Sequence, residues 1–231
     1  NSGQHYDKEV ASTYIEELSV HFDIDLTNTY STRRPIDVLG NMVIHLYDAL
    51  DRIEKPDWVI VFGDANTTLA GAIAAVKKKI PLVHIEAGLR SGEINNPEEH
   101  NRIVADHLAT VNFLSSKIDG ENLQREGLAK HSYWVGDIVY DLVLDITREL
   151  PNAFGSFKAG EYILCTIHRE ENVLSNETMG NIMRALANYN KRVVFVVHPR
   201  TYSRLKLLGL DRFENVNFIK MLSYKDMLLA L

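Results

Sequence analysis

Short apolar, β-branched runs alternate with amphipathic stretches along this chain, and that alternation leaves few folds open to it. Residues 57–62 read as a buried strand, 63–66 as a turn and 67–79 as an alanine-rich helix. A second strand is predicted over 81–85, a helix over 97–109, a strand over 111–115, a helix over 117–126 and a strand over 132–135. Residues 138–150 read as a long helix closed by Pro151, after which the pattern restarts. Strands are expected at 162–167, 192–197 and 216–219, with helices at 176–189 and 201–208. Strands that alternate with helices imply an α/β protein with parallel sheets covered on both faces. The break across 137–155, with Pro151 and Gly155, divides the chain into two such domains, 1–140 and 141–231.

A hydrophobic share of 45% over 231 residues is enough for a real core. The net charge of −6 argues against a nucleic-acid binder held by a broad basic face, while leaving room for a local basic pocket. Cys165 is the single cysteine, which excludes an internal disulfide and fits a reducing, cytoplasmic compartment. No apolar run approaches membrane-spanning length, so no membrane partner is expected. The sequence starts at Asn1 and stops inside the apolar pattern 227–231, as a piece of a longer chain would.

Ligands of open α/β sheets gather outside the carboxyl ends of the strands. Asp64, Glu86 and His168 each directly follow a predicted strand and are therefore candidates. A routine helix cap accounts for Asp64 when its turn is taken alone. Glu86 is harder to account for structurally, because Ala87-Gly88-Leu89-Arg90 follows it and no helix starts there. Asn96-Pro97-Glu98-Glu99 reads as a helix start with Asn96 as N-cap and Glu99 completing a partial capping box. That leaves Glu98 for chemistry, with Arg102 one turn on, placed either to pair with Glu98 or to bind a phosphate. His168 and Arg169 share a strand end, which fits phosphate binding and proton transfer. The histidines lack metal-ligand spacing, and neither a Gly-x-Gly-x-x-Gly turn nor a Gly-Lys-Ser/Thr loop is present, so no metal and no cofactor is expected.

Taken together, Gln4-His5, Gly63-Asp64, Glu86-Ala87-Gly88-Leu89-Arg90-Ser91-Gly92, Pro97-Glu98-Glu99-His100-Asn101-Arg102 and His168-Arg169-Glu170-Glu171-Asn172 resemble the non-hydrolysing UDP-N-acetylglucosamine 2-epimerases in order and spacing. The resemblance implies two Rossmann-like domains in a glycosyltransferase-B-like arrangement, both incomplete in this chain. It implies interconversion of UDP-GlcNAc and UDP-ManNAc through elimination of UDP to 2-acetamidoglucal and re-addition, by a homodimer that supplies polysaccharide synthesis. Asp64, Glu86, Glu98 and His168 match the positions assigned to catalysis, and Gln4, His5, Arg90, Glu99, Arg102 and Arg169 fall in motifs near the ligand. Glu98 and Asp64 are the expected bases, one for each face of the sugar, with His168 on the departing diphosphate. The family's first ligand loop and its later uridine-binding segment are both missing, so these residues alone are expected to fold poorly and not to turn over. The family's allosteric arginine should fall near residues 41–42, where Asn41 and Met42 stand, so activation by substrate is not expected. Two other readings stay open: a hydrolysing 2-epimerase releasing ManNAc and UDP, and a nucleotide-sugar-binding module without turnover.

Overall fold

Parallel pairing joins the named strands into two sheets in a computed structural model that describes residues 15, 18–26, 34–148, 150–151, 154–158, 160–167 and 170–231. The described residues fall into two compact units, His21–Asp141 and Leu142–Leu231, the second also taking in residues 15 and 18–20. Among them, no helix is long and apolar enough to cross a membrane.

The first unit runs α1 (Pro35–Ala49), β1 (Val59–Phe62), α2 (Asn66–Lys77), β2 (Leu82–Ala87), α3 (Pro97–Leu108), β3 (Val111–Leu114), α4 (Lys117–Arg125) and β4 (Ser132–Trp134), and α5 (Ile138–Thr147) starts in it. Its sheet has the order β1-β2-β3-β4, so each strand pairs with its sequence neighbour through a helical crossover. The alanines of α2 decide its place. Ala70, Ala72, Ala74 and Ala75 are buried, and such small side chains let α2 lie between α1 and α3 and close on β1. A Cβ on Gly71 would come within 3.0 Å of Val61 Cγ1, so the approach depends on small residues. Val61, Leu82 and Ala105 complete this layer of the core. β1 lies at one end of the strand order, and it leaves Ile60 and Phe62 exposed among the described residues.

The second unit holds β5 (Tyr162–Thr166), α6 (Glu170–Leu174), α7 (Asn176–Ala187), β6 (Arg192–Val196), α8 (Pro199–Leu207), β7 (Val216–Ile219) and α9 (Tyr224–Ala230). β6 is the middle strand, and Val193-Val194-Phe195-Val196 is buried without alternation, as expected of a strand covered on both faces. Phe195 packs with Met179, Met183, Leu205 and Val216, and its ring meets Phe218 at 5.6 Å between centroids. Tyr162 Oη donates to Ala230 O at 2.6 Å and ties α9 to the first strand of this unit.

α1 is absent from the sequence reading. Its cap residue Arg34 makes no side-chain cap, which removes the usual start signal, and only Pro35 at the first position marks it.

Candidate active site

Asp64 follows β1, and Glu86, expected just beyond a strand, is the penultimate residue of β2, so two carboxylates stand at the carboxyl ends of adjacent parallel strands. Glu86 sits at a break in register: Ile85 pairs with Phe113, but Ala87 pairs with Leu114, leaving Glu86 as the extra residue of a bulge. Its backbone has φ +71°, a conformation costly for a residue with a Cβ. Bulges re-aim side chains, and here the carboxylate lies over Gly63, with Oε2 3.1 Å from where a Cβ on that glycine would be. Burial pushes the Glu86 carboxyl above the ordinary carboxylate range; Asp137 and Asp64 add to the rise, against the opposing pull of His84 and Arg102.

Asp64 is not a helix cap. The N-cap of α2 is Ala65, which offers no side-chain acceptor. The Asp64 carboxylate instead binds Arg102 Nη2 at 2.5 Å, and its backbone carbonyl accepts from Asn101 Nδ2 at 2.8 Å. The start of α3 is thereby clamped to the end of β1.

The paired glutamates of α3 have separate tasks. Asn96 Oδ1 accepts from the Glu98 N–H at 3.1 Å, so the cap predicted for Asn96 is present. Glu99 does not reach back to that cap, as a capping box requires. Its buried carboxylate accepts from Ser91 N at 2.9 Å, Ser91 Oγ at 3.0 Å and Gly92 N at 3.0 Å, and it lies 3.7 Å from Arg102 Nη1. Burial alone would raise the Glu99 carboxyl, but the Ser91 and Gly92 N–H groups, the Ser91 hydroxyl and Arg102 outweigh it and hold the group below the usual range. Glu99 is thus a clip for the loop after β2. Glu98 is exposed, and among the described residues its side chain makes no hydrogen bond or ion pair.

Arg90, expected near the ligand, is engaged in internal contacts. Its guanidinium turns inward and binds Glu126 with Nε at 2.7 Å and Nη2 at 2.6 Å, while Nη1 meets Leu89 O and Asp106 Oδ2, each at 2.7 Å. Arg102, read as a partner of Glu98 or of a phosphate, takes Asp64 as its partner and touches Glu98 only through the backbone, with Nε 3.2 Å from its carbonyl. The expected residues Gln4, His5, His168 and Arg169 lie outside the described residues. His84, Asp106, Asn101 and Glu126 were not singled out from sequence. The available signal was a histidine inside an apolar strand, Leu82-Val83-His84-Ile85.

The two glutamates with shifted carboxyls predict opposite pH behaviour. Glu99 has a depressed folded value, so its contribution is present above the ordinary 4.5 and is lost as pH falls through the folded value. Glu99→Gln should therefore lower Tm at pH 7, by a loss on the order of 1–3 kcal/mol for its charge-assisted bonds, with the deficit shrinking in acid. Glu86 has a raised folded value, so its ionisation costs stability as pH rises through that value. Glu86→Gln should raise Tm at pH 7 and leave it unchanged well below the ordinary value. Thermal melts from acid to neutral pH check both, and curves parallel to wild type would reject the assignments.

A sequence model of the UDP-N-acetylglucosamine 2-epimerase family matches residues 1–231. The chain is 35% identical over 239 residues to UDP-N-acetylglucosamine 2-epimerase of Methanocaldococcus jannaschii, covering 96% of this chain and 64% of that protein. It is 32% identical over 237 residues to UDP-2,3-diacetamido-2,3-dideoxy-D-glucuronate 2-epimerase of Pseudomonas aeruginosa, covering 99% of this chain and 65% of that protein. The chain thus spans just under two thirds of the length of these curated relatives. The crystal structure of the Methanocaldococcus jannaschii UDP-GlcNAc 2-epimerase in complex with UDP-GlcNAc and UDP is similar with a TM-score of 0.83 at 34% identity, covering 99% of this chain and 67% of that one.

Proposed function

This chain belongs to the UDP-N-acetylglucosamine 2-epimerase family, and from that premise we propose that the protein interconverts UDP-GlcNAc and UDP-ManNAc by eliminating UDP with the carbon 2 proton to give 2-acetamidoglucal, then returning UDP to carbon 1 and a proton to the opposite face of carbon 2. The observation that carries the reading is the meeting of Asp64 and Glu86 at the ends of β1 and β2, beside the uncommitted Glu98 at the start of α3. The carbon 2 proton is weakly acidic, so its removal needs a placed base and a departing group on the neighbouring carbon. Inversion needs a base for each face, which calls for two carboxylates. Asp64 and Glu98 take those roles. Glu86, its carboxyl pushed above the ordinary range by burial, shuttles or tunes charge between them. By the family resemblance, His168 and Arg169 meet the diphosphate, and the working protein is a cytoplasmic homodimer.

The test is epimerisation by the full-length protein in heavy water, followed by NMR. UDP-GlcNAc should yield UDP-ManNAc with deuterium at carbon 2, and Glu98→Gln should slow epimerisation by roughly 10²–10⁴-fold. Free ManNAc with UDP, or binding without exchange, would overturn the reading.

One observation favours a second substrate. The relative named for UDP-2,3-diacetamido-2,3-dideoxy-D-glucuronate is almost as similar to this chain as the one named for UDP-GlcNAc. The same carboxylates serve either sugar, because the reaction concerns carbon 2 alone. Comparing kcat/KM for the two nucleotide sugars decides between them.

A further inference from the structure

His84 lies on β2 with no exposed surface, two residues before Glu86. Its Nε2 is 2.8 Å from Gly63 O, and its Nδ1 is 2.6 Å from Asp106 Oδ1. Asp106, on α3 and equally buried, accepts from the Gly88 N–H at 3.1 Å and meets Arg90 Nη1 at 2.7 Å through its other oxygen. Arg90 is in turn held by Glu126. A continuous line of contacts therefore runs from the turn that carries Asp64, under Glu86, to the loop that Glu99 clips.

The proton count along this line follows from the partners. A backbone carbonyl only accepts, so His84 Nε2 carries a proton. Asp106 is an acceptor for both Gly88 N–H and Arg90, and that pair of donors favours its ionised form, so Nδ1 carries a proton too. Both ring nitrogens of His84 are thereby engaged as donors, out of solvent, on the strand that carries Glu86. The groups acting on Glu86 are Asp64 from the turn after β1, Asp137 from the turn before α5, Arg102 from α3 and His84 from its own strand.

We propose that His84 and Asp106 are positioning residues for the epimerisation: the couple fixes the Gly63–Asp64 peptide and the Gly88–Arg90 turn relative to each other and sets a doubly donating imidazole on the strand that carries Glu86. The proposal rests on the reading of Asp64 and Glu86 as proton-handling groups. Neither buried residue is expected to touch the sugar, so their loss should act on kcat rather than on KM.

Two substitutions in the full-length protein separate the two contacts. His84→Gln retains a donor at the Nε2 position for Gly63 O, and His84→Asn retains a group only at the Nδ1 position toward Asp106. His84→Asn should lower kcat for UDP-GlcNAc about 10²-fold with KM changed by less than roughly threefold, and His84→Gln should recover about 10-fold of that loss. Both remove the pull of His84 on the Glu86 carboxyl, so in both the acid limb of the kcat profile should move to higher pH. Variants that melt as wild type does but keep its kcat and its acid limb would overturn the proposal. So would equal losses in both variants with an unmoved limb, which is the mark of general damage. If neither variant folds, ¹⁵N-histidine NMR of the wild type decides: one shielded imidazole should carry protons on both nitrogens at pH 7, and a single-proton tautomer at His84 would overturn the couple. Wild-type protein that fails to epimerise either nucleotide sugar rejects the functional reading instead, and the ¹⁵N measurement still judges the His84–Asp106 couple independently.

Discussion

Asp64→Asn is expected to lower epimerisation by about 10²–10⁴-fold while leaving carbon 2 exchange active from one of the two epimers. The uncoupling follows from the two-base geometry. If Asp64 serves one face and Glu98 the other, the variant cannot take the proton from the epimer whose hydrogen faces Asp64. The opposite epimer still loses its proton to Glu98, eliminates UDP and regains a solvent deuteron on the same face. The result is exchange without inversion, read by NMR as deuterium in recovered substrate with no second epimer. Glu98→Gln should show the mirror pattern, and the pair of results assigns each carboxylate to its face. Asn also keeps the size of Asp64 and one acceptor for Arg102, so the clamp between β1 and α3 is weakened rather than removed. Exchange that falls equally from both epimers would remove Asp64 as a single-face base.

Gly88→Ala should be the most damaging small substitution in the first unit. Gly88 has φ +85°, and a Cβ there would stand 2.6 Å from Asp119 O and 2.9 Å from Asp119 Cβ. Asp119 cannot retreat, because it completes the capping box of α4 with Ser116. Gly88 cannot retreat either: its N–H binds Asp106, and its carbonyl accepts from Asn122 Nδ2 at 2.9 Å. Left-handed backbone and overpacking together put the cost on the order of 2–5 kcal/mol. The control is Gly92→Ala. Gly92 has φ +73° but nothing within 4 Å of a new Cβ, so only the backbone cost applies, about 1–2 kcal/mol. Thermal melts of both should show Gly88→Ala falling much further, with epimerisation lost. Equal shifts would mean that the contact with Asp119 does not confine the loop.

The strand and helix positions were legible because they rest on local periodicity. The helix over residues 97–109 and the observed Pro97–Leu108 differ by one residue at the end, since Asn96 and Pro97 announce the start in the sequence itself. The bulge at Glu86 was not legible. Ile85-Glu86-Ala87 reads as the plain end of a strand, and the extra residue is created by the register against β3. Glu98 and Glu99 are the same residue type side by side, and a rotation of about 100° along the helix sends one outward and the other onto Ser91 and Gly92. The partners of Arg90, Asp106 and Glu126, were not legible because they lie far along the chain.

A parallel α/β protein with carboxylates at strand ends is already written in residue order, because order dictates periodicity and the chemistry each position carries. Which of those groups make internal contacts and which stay open to solvent is set by the packing of the elements. Packing α3 against β2 engages Glu99, Arg90 and His84 in internal contacts and leaves Glu98 open to solvent, while the register against β3 turns Glu86 over Gly63. The physical reason is that a buried charge must find its partner wherever the fold brings one, and that partner is seldom a neighbour in the chain.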